Sequence, residues 1–195
     1  MGCKLEFDKP TCQTKAPRMP NLSAKEAQIA SAEAKGVITK ATHDVDEFIS
    51  TIFTRPKRDG SHRLILNLRK LKDHIVYHHF KMESLQSAVQ LTKPLCWMAV
   101  LDLKDAYYSV PIRTEYRKYF RFEHDGQLYE FVCLRNGLSN APRIFTKHAL
   151  ARLRDDGMLL VVCIDDIILL ADDPQTWSHI YTKQPHCLYK RVAFW

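Results

Sequence analysis

Met158–Ala171 reads MLLVVCIDDIILLA: an aliphatic run up to Ile164, two adjacent acids, Asp165 and Asp166, and a second aliphatic run from Ile167. β-branched residues on both sides, in runs of about six, favour two buried strands over one helix. The acid pair then falls at or near the tight turn between them. Two carboxylates ~4 Å apart at an effective dielectric near 20 repel by roughly 4 kcal/mol. A solvated turn tolerates that, because Asp is an ordinary turn residue. A site that sets cations against the acids makes use of it. The rest of the chain decides between the two readings.

Upstream, Trp97–Leu103 (WMAVLDL) reads as a second buried strand, ending in Asp102, 63 residues before Asp165. A carboxylate at the end of an apolar strand is costly unless something pairs with it. Between the two stretches, KYFRFE and QLYEFVC flank His124-Asp125-Gly126, a hairpin signal. Asn140-Ala141-Pro142 then opens a helix, with Asn140 as cap and Pro142 in the first turn, ending by Gly157. Strand, helix, hairpin, helix and Asp-Asp hairpin together predict an α+β fold: an antiparallel sheet with helices packed on one face.

Further out, FISTIFTR (48–55) suits a strand, PKRDG (56–60) a turn and HRLILNL (62–68) the returning strand. From Arg55 to Asp73 there are seven Lys or Arg against two Asp. Such a hairpin is either an edge protected by charge or a flap that closes cations over phosphates. Residues 74–95 predict a short extended piece and a helix from about Met82. His78 and His79 read as structural histidines, since no third ligand can be placed beside them. At the N-terminus, residues 1–20 are an irregular lead-in. Ser23 and Glu26 form a capping box for a helix running to Gly36.

The composition sets outer bounds. Hydrophobic content of 46% with 26% charged residues is that of a globular chain, and the net charge of +7 suggests a polyanionic partner. Six cysteines without regular spacing, several inside apolar runs, suggest buried thiols in an intracellular protein rather than a secreted disulfide scaffold. No apolar stretch reaches about 18 residues, which argues against a membrane partner.

The acids have a chemical reading. If the strand ending at Asp102 neighbours the Asp165–Asp166 hairpin, three carboxylates converge, and two Mg²⁺ (or Mn²⁺) ions about 3.5–4 Å apart offset their charge. Such ions need only oxygen ligands and suit phosphoryl transfer to a 3′-hydroxyl.

At this point the chain resembles the fingers and palm of a reverse transcriptase over roughly residues 37–173. FTRPKRDGSHRLILNLR resembles the first fingers motif, VLDLKDAYYSVPI the motif of the first catalytic Asp, and LRNGLSNAPRIF the motif beneath the templating base pair. CIDD stands where the family has Tyr-x-Asp-Asp, with Cys163 in place of Tyr. Arg135 and Asn136 replace a more usual Pro followed by Gln or Phe. The wording is closest to retrotransposon enzymes, DIRS-like or Gypsy-like.

The resemblance implies an RNA-directed DNA polymerase that takes an RNA or DNA template with primer and deoxynucleoside triphosphates. It implies a metal triad of Asp102, Asp165 and Asp166, with the Leu103 carbonyl as a further ligand. Lys57 and Arg63 would grip the triphosphate, and the backbone N–H groups of Asp105 and Ala106 would meet the same phosphates. Tyr107 would exclude a ribose 2′-hydroxyl, and Asn136 and Gly137 would line the nucleotide pocket. By motif, residues 1–36 are lead-in, 37–96 fingers-like and 97–173 palm. Residues 174–195 carry no family motif, so primer grip and thumb are expected to be absent. A truncated copy, or an inactive remnant that only binds nucleic acid, is the accompanying expectation.

Overall fold

The structure is a computed structural model. It describes residues 2–13, 15, 23–57, 60–102, 105–147, 154, 159–163, 166–173 and 175. In chain order the elements are α1 (Ser23–Ala34), β1 (Ile38–Lys40), β2 (Ile52–Pro56), β3 (His62–Leu66), α2 (Arg69–Lys72), α3 (Leu85–Leu91) and β4 (Trp97–Asp102). A 3₁₀ turn (Ala106–Ser109) follows, then α4 (Thr114–Arg117), β5 (Arg121–His124), β6 (Gln127–Phe131), α5 (Ala141–Phe145), β7 (Leu159–Cys163) and β8 (Asp166–Ala171). The chain divides into two compact units, Met1–His78 with Tyr107–Ala141, and His79–Ala106 with Pro142–Trp195. These cut across the motif-based division at 96/97.

In the first unit, α1 stops at Ala34, two residues short of the expected end. Gly36 takes φ +65°, and the N–H groups of Gly36 and Val37 donate to the carbonyls of Glu33 and Ala32. That pair of bonds satisfies carbonyls the helix end would otherwise orphan, and a left-handed residue there favours glycine. The hairpin read from His124-Asp125-Gly126 forms: His124 pairs with Gln127, and Asp125 and Gly126 both have positive φ. This is the mirror-image two-residue turn whose twist matches the strands. The core of this unit includes Ile49, Leu66, Leu71, Phe120, Phe122, Phe131 and Leu134. Phe122 stacks on Tyr129 at 5.3 Å between ring centroids.

In the second unit the three strands read from the aliphatic runs form one antiparallel sheet, ordered β4-β8-β7. Leu160–Val162 and Leu169–Ala171 are buried without alternation. Consecutive burial means that both faces of these strands are covered, as their unbroken apolar runs require.

Four local expectations change. The strands fall into three sheets (β1-β6-β5, β2-β3 and β4-β8-β7), so β5–β6 joins β1 rather than the acid-bearing strands. Strand β2 begins at Ile52, because Phe48 and Ile49 make isolated bridges to Gln13 and Arg121 instead of a ladder. Helix α3 begins at Leu85 behind Ser84, whose side chain and that of Ser87 form a reciprocal cap. Asn140 precedes α5 as expected, but its side chain is committed elsewhere: Nδ2 donates to the Val76 carbonyl (2.8 Å) and Oδ1 accepts from the His78 N–H (3.4 Å). Residues 148–153 and Gly157 of the expected helix, the lead-in residues 16–22 and the tail from 176 lie outside the described residues.

Candidate functional site

The second unit holds the acid end. Strand β4 runs antiparallel to β8, and Asp102 is the register partner of Asp166. Register partners in an antiparallel pair have Cα atoms about 4.5–5.5 Å apart. The condition set by the sequence, that the two strands be neighbours, is therefore met. Asp166 is also the register partner of Cys163 on β7, so it pairs on both sides. Asp166 opens strand β8, while Asp165 and Leu103 lie outside the described residues. Beyond the end of β4, Asp105 is exposed and takes φ +55°, a conformation Asp tolerates better than most residues. Ala106 is buried at the head of the 3₁₀ turn.

The first unit holds the basic side. Strands β2 and β3 pair from Ile52↔Leu66 to Pro56↔His62, which sets Arg55 opposite Arg63, both exposed. The Lys57 N–H donates to the Ser61 carbonyl (2.7 Å), and the Gly60 N–H to that of Lys57 (3.1 Å). Lys57 is therefore fixed at the exposed tip, while Arg58 and Asp59 lie outside the described residues. Like charges directly opposite destabilise a hairpin, by about 0.2–1 kcal/mol on the scale of cross-strand pairs. Arg55 was not among the residues singled out from sequence. The signal was available, because alternation across a hairpin centred on 59 places 55 against 63.

Tyr107, half-buried, stands in the 3₁₀ turn next to Tyr108. Asn136 and Gly137 are exposed, Gly137 with φ +101°. Just before them Arg135 is buried, with its guanidinium 4.3 Å from the Phe131 ring centroid and 5.1 Å from that of Tyr108. Its Nη1 donates to the Tyr108 hydroxyl, and its Nη2 donates to the Leu64 carbonyl at 2.6 Å.

A different buried arginine, Arg121, is fully paired. It reaches Glu47 at 2.8 Å and Glu130 at 3.0 Å, and Glu47 also bonds His43 Nδ1 at 2.6 Å. Burial pushes the Glu47 carboxyl up, but hydrogen bonds from His43 and Arg121 outweigh it and hold its pKa below the ordinary carboxylate range. His78 pairs with Glu6 at 2.7 Å, in keeping with a structural role. One other group has ligand-like spacing: Glu26 on α1 with His124 and Asp125 at the β5–β6 turn, their ligand atoms within 4.8 Å of one another. It belongs to the first unit, whereas Asp102 and Asp166 belong to the second.

The reverse transcriptase (RNA-dependent DNA polymerase) family profile matches residues 55–191, from the basic hairpin through the acid-bearing sheet. The chain belongs to the reverse transcriptase family. The matched range runs past Pro174, through most of the segment in which no motif is legible. This reverse transcriptase chain is similar to Polyprotein P3 of Commelina yellow mottle virus, at 22% identity over 96% of the chain and 10% of the polyprotein. It is similar to the retrovirus-related Pol polyprotein from transposon gypsy of Drosophila melanogaster, at 28% identity over 66% of the chain and 12% of the polyprotein. Among solved structures, the native protease-reverse transcriptase of prototype foamy virus superposes with a TM-score of 0.69 at 24% identity. That superposition covers 90% of this chain and 24% of the viral one, and it shows the reverse transcriptase fold. The chain thus spans about a tenth of the length of those two polyproteins. Among the described residues no helix is long and apolar enough to cross a membrane.

Proposed function

We propose that this chain carries the nucleotidyl-transfer centre of a retrotransposon reverse transcriptase, of the Gypsy-like or DIRS-like class. The reaction is addition of a deoxynucleotide to a primer 3′-end on an RNA or DNA template. The register pair Asp102↔Asp166 carries this reading. Two acids set opposite each other at the end of an apolar strand pair have no structural benefit of their own, and an oxygen-only donor set suits hard cations. Asp102, Asp165, Asp166 and the Leu103 carbonyl would hold two Mg²⁺ or Mn²⁺ ions. Bound there, the metals supply activation of the 3′-hydroxyl and stabilisation of the leaving pyrophosphate.

The chain's other residues bind and orient. Lys57 and Arg63 hold the triphosphate by charge-assisted hydrogen bonds, and the opposed Arg55 and Arg63 gain from an anion between them. The backbone N–H groups of Asp105 and Ala106 donate to the same phosphates. Tyr107 closes the space a ribose 2′-hydroxyl would occupy. Asn136 and Gly137 shape the pocket, where the absence of a Cβ at Gly137 lets the backbone approach the sugar. The gypsy relative and the retrotransposon-like wording of the motifs support the class.

Single-nucleotide extension of a DNA primer on an RNA template tests this reading. Extension is expected to require Mg²⁺ or Mn²⁺ and to fall by about 10²–10³-fold in Asp102→Asn and in Asp166→Asn, the scale of losing electrostatic stabilisation at the reacting atoms. Undiminished extension in both variants would overturn it.

A further inference from the structure

We propose that Arg135 is a positioning residue that sets the geometry of the nucleotide pocket by tying three backbone segments together. This deepens the proposed function and rests on it. The guanidinium donates to the carbonyl of Leu64, the neighbour of Arg63, and to the hydroxyl of Tyr108, the neighbour of Tyr107. Arg135 itself directly precedes Asn136 and Gly137. The bonds of one buried side chain thus lie a single residue from three positions, Arg63, Tyr107 and Asn136, assigned to the triphosphate, the sugar and the pocket lining. All these residues fall in the first compact unit.

Stability alone does not account for an arginine here. Arg135 is only 3% exposed, and no carboxylate pairs with it among the described residues. Its charge is met by two ring faces and two neutral oxygens, and its Nε, also buried, has no hydrogen-bond partner. A buried cation with an unsatisfied donor is an expensive way to fill space, and an apolar side chain of similar volume often serves stability as well or better. What an apolar side chain cannot do is donate to Leu64 and Tyr108 at once. The planar fork of guanidinium donors, held over the Phe131 ring, fixes the distance between strand β3 and the 3₁₀ turn. Leu64 faces the core and Arg63 faces out, so a shift of β3 at Leu64 carries Arg63 with it.

The test uses the full 195-residue chain with Mg²⁺·dATP and Mg²⁺·ATP as probes, read by equilibrium binding, together with thermal melting and amide hydrogen exchange. Arg135→Met is expected to leave the melting temperature within a few degrees. It should weaken dATP binding about tenfold, narrow the dATP-over-ATP preference, and speed exchange at residues 63–66 and 107–110. Tyr108→Phe, which removes one oxygen only, should reproduce part of the loss. Arg135→Lys should not rescue it, since one ammonium does not reproduce the two-pronged fork that bonds both acceptors. Wild-type-like affinity, preference and exchange in both Arg135→Met and Tyr108→Phe would overturn the positioning role while leaving the nucleotide-binding reading intact. A wild-type chain that shows no metal-dependent preference for dATP would overturn both. Collapse of Arg135→Met accompanied by normal binding in Tyr108→Phe would make Arg135 a structural residue and overturn the proposal.

Discussion

Each compact unit carries a pair of like charges set directly opposite in antiparallel register: Asp102 against Asp166 in one, Arg55 against Arg63 in the other. Neither arrangement helps the strands that bear it, since opposed like charges cost a hairpin up to about 1 kcal/mol. The first unit also shows how this fold treats charge when stability is the aim: Arg121 lies between Glu47 and Glu130, buried and fully bonded. The contrast is between charges that satisfy each other and like charges that share a register position. Under the proposed function the acidic pair takes cations and the basic pair takes phosphates.

The largest effect expected is at the satisfied network. Arg121→Met strands the buried Glu47 carboxylate and the half-buried Glu130, and should destabilise the chain by about 3–5 kcal/mol in urea unfolding. The network also predicts the sense of the pH dependence. Because the Glu47 pKa is depressed in the folded state, its contribution is present above the unfolded carboxylate value of about 4.3 and is lost as pH falls through the folded value. Wild type should therefore lose stability on acidification below about pH 4 more steeply than Glu47→Gln. An Arg121→Met chain as stable as wild type would erase the contrast.

An intermediate effect is expected at the basic pair. Arg63→Ala should weaken Mg²⁺·dATP binding about tenfold, the worth of one charge-assisted contact. The smallest effect has the opposite sign. Arg55→Thr should stabilise the ligand-free chain by about 0.5 kcal/mol, because it relieves repulsion across the hairpin and adds a good strand former. Destabilisation by Arg55→Thr would mean that the pair is held by something other than a missing anion.

What the sequence made legible was local. The turn at Asp125-Gly126, the end of α1 at Gly36 and the two aliphatic runs around Asp165–Asp166 each depend on a few adjacent residues, and each formed close to where it was expected. Sheet membership is not local: nothing in QLYEFVC says that it will pair with Ile38–Lys40 rather than with the acid-bearing strands. Asn140 looked like a helix cap because caps are Asn by preference, yet a partner 64 residues away takes its amide. Arg135 stood out only as a departure from the family pattern. Its meaning lay in Leu64, Tyr108 and Phe131, which no spacing rule brings together. Strand-end and turn signals in the sequence single out Asp102 and Asp165–Asp166, but the register that sets Asp102 opposite Asp166 is visible only in the structure.

The most direct test is a Mn²⁺ titration of the chain followed by calorimetry, in a His124→Gln background that removes the Glu26–His124–Asp125 group from the reading. Saturable Mn²⁺ binding is expected, lost in Asp102→Asn and in Asp166→Asn, with each variant melting at or slightly above wild type without metal. Mn²⁺ binding that survives both substitutions, or a ligand-free chain destabilised by either, would contradict that expectation.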